Sequence, residues 1–158
     1  MMKGGITMMN NFFNELEAKM AAWIEKRNTH ESIKEIVAKE NGWDSEAMNA
    51  WKAEMEEIKA EQPYTKGECK AYRVWKYGGG TDTDVILDDY VWDDEVHDFI
   101  DALRAADIET ITIIDSSTAL MRTMHGFANE GCELIGLCTI PHPTFREDVK
   151  QGVKFKIG

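Results

Sequence analysis

Between Tyr77 and Leu103 the chain has no lysine and no arginine. The same stretch holds nine carboxylates: Asp82, Asp84, Asp88, Asp89, Asp93, Asp94, Glu95, Asp98 and Asp101. It therefore accounts for most of the formal net charge of −11. Acidity here is local, and a local negative field repels nucleic acid while attracting basic surfaces, metal ions or cationic ligands. Other absences narrow the class. No apolar run approaches the ~20 residues of a membrane span. Lys3 is followed by glycine and polar residues rather than the apolar stretch of a signal peptide. Cys69, Cys132 and Cys138 form no CxxC pair, and their odd number fits free thiols in a reducing cytoplasm. A pI near 4.8 argues against direct nucleic-acid binding, which needs a basic stripe. There is no G-x-S-x-G elbow, no P-loop and no dinucleotide fingerprint, since Gly78-Gly79-Gly80 is not G-x-G-x-x-G. These absences lean away from an enzyme and imply no cofactor. The expectation is a cytoplasmic protein with no membrane partner.

Five Trp, six Phe and four Tyr supply a core for one domain with a helical appendage. Residues 1–9 carry no structural pattern and are expected to be disordered. Residues 10–63 read as helical. Phe13, Leu16, Met20, Trp23 and Ile24 recur at steps of three and four behind a cap at Asn10 or Asn11. A second helix is expected from Thr29, with Ile33, Ile36 and Val37 as its stripe and Asn41-Gly42 as its stop. A third starts at Asp44 or Ser45, with Met48, Trp51, Met55 and Ile58 inward and Pro63 past its end.

Residues 64–158 read as an α/β domain. Lys70 to Tyr77 alternates and predicts a strand, followed by a glycine turn at 78–80 and a second extended segment from Val85 to Trp92. The three glycines are also compatible with a loop that moves over a ligand. A helix from about Asp94 to Ala106 buries Val96, Phe99, Ile100 and Leu103. A strand over 108–115 is buried on both faces. Ser116 or Ser117 caps a helix carrying Leu120, Met124 and Phe127. Glu133 to Ile140 is a strand, and Val153 to Ile157 is a short edge strand with Lys154 and Lys156 outward. The order predicts a mixed, partly parallel sheet of four or five strands with flanking helices and a helical N-terminal extension.

The acidic segment is the main candidate site. Asp94, Asp98 and Asp101 stand at i, i+4 and i+7, a row opposite the apolar stripe. Successive carboxylates in such a row are about 5–6 Å apart, comparable to phosphates along a nucleic-acid strand. Asp93, Asp94 and Glu95 also suit a helix start, where each is favoured by ~0.3–1 kcal/mol. Capping does not account for Asp98 and Asp101, whose like charges cost a few tenths of a kcal/mol. The competing account is a merely solubilising face. Tyr90 and Trp92 are candidate aromatic anchors. His97 is expected to titrate above its ordinary value beside these carboxylates. Asp82, Asp84, Asp88 and Asp89 are oxygen donors for Ca²⁺ or Mg²⁺, but without the EF-hand arrangement. Cys132, Cys138 and His142, with His125, are a weak zinc set, because structural sites usually present paired, closely spaced ligands. Asp115, at a strand end, and the Gly78–Gly80 loop are the candidate site of a small ligand-binding or enzymatic domain.

From Ile111 to Ile140 the sequence runs I-T-I-I-D-S-S-T-A-L-M-R-T-M-H-G-F-A-N-E-G-C-E-L-I-G-L-C-T-I. The D-S-S-T-A-L-M and G-C-E-L-I-G-L-C portions resemble small uncharacterised proteins of phages and mobile elements in Gram-positive bacteria. The resemblance implies a variable helical N-terminus and an acidic middle, and assigns no catalytic residue. Small acidic proteins of such elements include anti-CRISPR proteins, some of which mimic DNA. The expectation is thus an inhibitor that sets Asp82, Asp84, Asp88, Asp89, Tyr90, Trp92, Asp94, Asp98 and Asp101 against a basic nucleic-acid-binding host protein, such as Cas9. A helical adaptor using Trp23 and Trp51 as its partner surface is a further alternative.

Overall fold

The computed structural model describes residues 10–114, 117–141 and 149–158. The expected disorder of 1–9, and Asp115, Ser116 and His142, lie outside the described residues. The chain divides into two compact units, residues 15–64 and residues 1–14 with 65–158.

The first contains most of α1 (Asn11–Ser32), α2 (Lys34–Asn41) and α3 (Glu46–Ala60). Ser45 caps α3 by accepting the Met48 N–H, and Gly42 stops α2 at φ 92°. Met48, Trp51, Met55 and Ile58 are buried as the spacing predicts. Trp23 donates its indole N–H to the Ile58 carbonyl at 2.7 Å. His30 and Trp51 lock reciprocally: Trp51 Nε1 donates to the His30 carbonyl at 2.9 Å, His30 Nε2 lies 2.9 Å from the Trp51 carbonyl, and the rings stack. Two expectations are corrected. Thr29 lies inside α1 and starts no helix; the break falls at Ile33. In so short a helix, Ala38 takes the buried position with Val37 beside it, leaving Ile33 and Ile36 exposed. Trp23 and Trp51 are each 7% exposed and belong to the core of this unit.

The second unit holds α4 (Lys66–Tyr77), β1 (Asp84–Leu87), α5 (Val96–Ala105), β2 (Thr110–Ile113), α6 (Leu120–Asn129), β3 (Glu133–Pro141) and β4 (Val149–Lys156). Its four-stranded sheet has the order β1-β2-β4-β3. β1 and β2 are parallel, joined through α5, and both contacts of β4 are antiparallel. This is the mixed α/β class the element order predicts. Phe127 of α6 stacks on Phe99 of α5 and meets Phe155 of β4 edge-on, so both helices cover the same face of the sheet. Ile111, Thr112 and Ile113 are all buried, as expected for β2.

Residues 70–77 are helical, not a strand. Thr65 and Glu68 form a capping box that starts α4. The buried positions Gly67, Ala71, Tyr72 and Trp75 follow helical spacing, visible only when the pattern is read from residue 66. Trp75 stacks on Phe13 at 4.9 Å, and this packing overrides the local β-preference. β1 is correspondingly short, and its partner is β2 rather than a preceding strand. Gly79 and Gly80 both take positive φ, and Gly80 bridges to Val85. The Val153–Ile157 region is no edge: β4 lies between β2 and β3. Gly152 permits this, because a Cβ there would approach Thr112 Cγ2 to 2.6 Å. The N-cap position of α6 is Ala119, without a side-chain bond of its own, and Ser117 Oγ accepts the Ala119 N–H at 3.3 Å just ahead of it.

At Gly67, α4 passes close to the start of α5. A Cβ added there would meet the Glu95 carbonyl oxygen, the Phe99 nitrogen at 2.7 Å and the Asp98 Cβ at 2.8 Å. Alanine normally stabilises a helix interior by roughly 0.5–1 kcal/mol over glycine. Gly67→Ala is predicted to do the reverse, lowering stability by about 1–3 kcal/mol in urea unfolding because backbone must shift.

Candidate acidic interaction surface

The loop from Asp88 to Glu95 and the first turns of α5 carry most of the candidate residues. Their conformation is set from α4. Lys70 lies one helical turn past Gly67 and reaches into the loop. Its ammonium donates to the Tyr90 carbonyl at 2.6 Å and lies 3.2 Å from Glu95 Oε2 and 3.7 Å from Asp89 Oδ2. It also stands 5.4 Å from the centre of the Tyr90 ring. The Lys70 and Glu95 side chains are both largely buried. The Glu95 Oε2 atom has no hydrogen bond, so the Lys70 charge is its compensation. Asp89 Oδ1 accepts the Tyr90 N–H at 2.8 Å. Tyr90 and Trp92 meet edge to face at 4.5 Å, and Trp92 stays 44% exposed. Val91 is buried, its N–H donating to Thr123 Oγ1.

The predicted residues do not play equal parts. Asp88, Asp89 and Asp94 are exposed around the loop, as is Asp93 beside them. Asp94 pairs loosely with Lys66 at 3.9 Å. Asp98 is half-buried where α5 passes Gly67, and so is recessed from the row. Asp101 faces solvent but pairs with His97 at 3.1 Å. Asp84 is a structural tie, its Oδ1 accepting from Thr110 Oγ1 at 2.6 Å across the β1–β2 pair. Asp82 is exposed before β1 and lines a groove of about 280 Å³ with Asn10, Trp75 and Asp107. Sequence reasoning missed Lys66 and Lys70, because their relevance depends on α4 being a helix laid against α5.

It also missed Glu130. His97 Nδ1 lies 2.7 Å from Glu130 Oε1, joining α5 to the end of α6. The His97 pKa is raised above its ordinary 6.5, first by this hydrogen bond and then by the fields of Asp101 and Glu130. His97, Asp101 and Glu130 are also the one group of three possible metal ligands among the described residues, their ligand atoms lying within 4.8 Å. The Cys132 thiol is buried, which pushes its pKa up, and Cys138 is half-buried on β3. They form no such group with a further ligand among the described residues, and His142 lies outside them. A shallow groove of about 700 Å³, with Arg104, Glu109, Thr110 and Lys156 in its lining, lies at the start of β2. That is the end of β2 opposite to Ile113.

A protein-family profile described as a domain of unknown function, DUF7698, matches residues 69–155. This is more than half of the chain. The protein belongs to that family. No curated protein and no solved structure matches the chain. The matched span runs from within α4 into β4, so it takes in all of the sheet but Lys156, together with Lys70 and the acidic segment, and leaves α1–α3 outside.

Two predictions arise from these contacts. Lys70→Met removes the compensating charge from Glu95 and is expected to cost about 1–3 kcal/mol of stability. The double variant with Glu95→Gln should recover part of that loss in the same denaturation series. For His97, the raised folded pKa means that the protonated clasp contributes its full stability below pH 6.5, and that this contribution is lost as pH rises through the folded pKa. An NMR titration of the imidazole should have its midpoint above 6.5, and Glu130→Gln should lower it.

Proposed function

We propose that this protein is a non-enzymatic binding protein that sets its acidic surface against a basic nucleic-acid-binding protein. The observation that carries this reading is the anchored loop. Solubilising charge needs no fixed geometry, yet Lys70 holds the Tyr90 carbonyl, Asp89 and Glu95 together while Trp92 and the neighbouring carboxylates face outward. A held loop loses little conformational freedom on binding, and a half-exposed Trp among charges has the chemistry of an interface anchor. The resemblance to small phage and mobile-element proteins supports the finer version, an anti-defence inhibitor directed at the nucleic-acid channel of a Cas9-type nuclease. The recessed position of Asp98 moves the phosphate-like set to Asp93, Asp94 and Asp101.

Fluorescence anisotropy with labelled protein and a purified Cas9-type nuclease tests the proposal. Binding should weaken steeply with added salt, as exposed charges are screened. Replacing Asp93, Asp94 and Asp101 together by asparagine should cost about tenfold or more in affinity. Affinity that is untouched by that triple change, or by salt, would remove the acidic surface as the cause.

A further inference from the structure

The two edges of the sheet are treated differently. β1 is four residues long, carries Asp84, and is met on its approach by Gly80, which bridges to Val85. Short length, charge and local covering are devices that keep an edge from pairing with another chain. β3 has almost none of them. It runs for nine residues, Glu133-Leu-Ile-Gly-Leu-Cys-Thr-Ile-Pro141, with one charge at its start and a proline only at its end. β4 pairs with one side of it, and no strand pairs with the other among the described residues. Leu134, Ile135 and Leu137 are 54%, 56% and 70% exposed. A bulge between Leu134 and Gly136 is the single irregularity.

We propose that β3 pairs antiparallel with β3 of a second copy of this chain, extending the sheet across a twofold axis to eight strands. The charge pattern selects this occupant and this direction. Directly paired residues share a face of the sheet. Glu133 pairs with Lys156, and Ile140 pairs with Lys150. The two lysines are six residues apart on β4, so Glu133, Ile140 and Lys150 all stand on one face. In the antiparallel arrangement Glu133 of each copy comes beside Ile140 of the other, with that copy's Lys150 on the next strand. Neighbouring strands are about 4.8 Å apart, so Glu133 and that Lys150 lie two strands, roughly 10 Å, apart on one face; their long side chains span that separation, and the twofold axis repeats the pair. A parallel pairing would set the two Glu133 carboxylates against each other. Leu134 and Ile135 then lie by Thr139 of the other copy, with Leu137 near the axis.

Sedimentation velocity on the full chain at high micromolar concentration tests this. The expected species has the mass of two 18.0 kDa chains. Ile135→Lys with Leu137→Lys, both at exposed positions, should give a monomer with an unchanged melting temperature. Glu133→Lys should shift the equilibrium toward monomer, and adding Lys150→Glu should restore the dimer. A wild-type chain that sediments as a monomer overturns the proposal. So does a dimer that survives the double lysine change.

Discussion

Gly67 lies where α4 meets the first turn of α5, at a separation that leaves no room for a side chain. The position of Lys70 depends on that approach. Its ammonium can serve the Tyr90 carbonyl, Asp89 and Glu95 together only because α4 runs close along the start of α5. The acidic loop in turn depends on Lys70, since Glu95 is largely buried and has no hydrogen bond to its Oε2. One missing Cβ therefore controls a chain of contacts that ends at the exposed Trp92.

This chain of contacts alters the meaning of the acidic segment. Nine carboxylates without a lysine or arginine suggest uniform repulsion along the sequence. In three dimensions cations come from α4, as Lys66 and Lys70, and His97 within the segment pairs with Asp101 and with Glu130 at the end of α6. Some carboxylates become structural, as Asp84 and Glu95 do, and others remain at the surface. The surface proposed for binding is what is left after the fold has used its share.

Much of the fold was legible because it rests on local periodicity. The inward residues of α3 and α5 and the double-sided burial of β2 follow from side-chain spacing alone. Residues 70–77 were misread because alternation over eight residues resembles a strand, whereas the deciding signals lie just outside it, in the Thr65–Glu68 capping box and at Gly67. β4 was misplaced because edge and centre differ only in what packs on either side. The acidic residues of the candidate site were legible as a group; their division into ties and exposed charges was not.

The sequence by itself determined the class of the fold, the faces that its helices bury, the local concentration of negative charge and the apolar character of β3. These follow from side-chain chemistry at short separations, where periods of 3.6 and 2 assign each residue a side. Tertiary structure alone decided that β4 enters between β2 and β3, that β3 is an edge strand among the described residues, and that Lys70 meets Glu95. Those outcomes depend on contacts between residues far apart in the chain, and on the space that Gly67 and Gly152 leave for a neighbouring backbone.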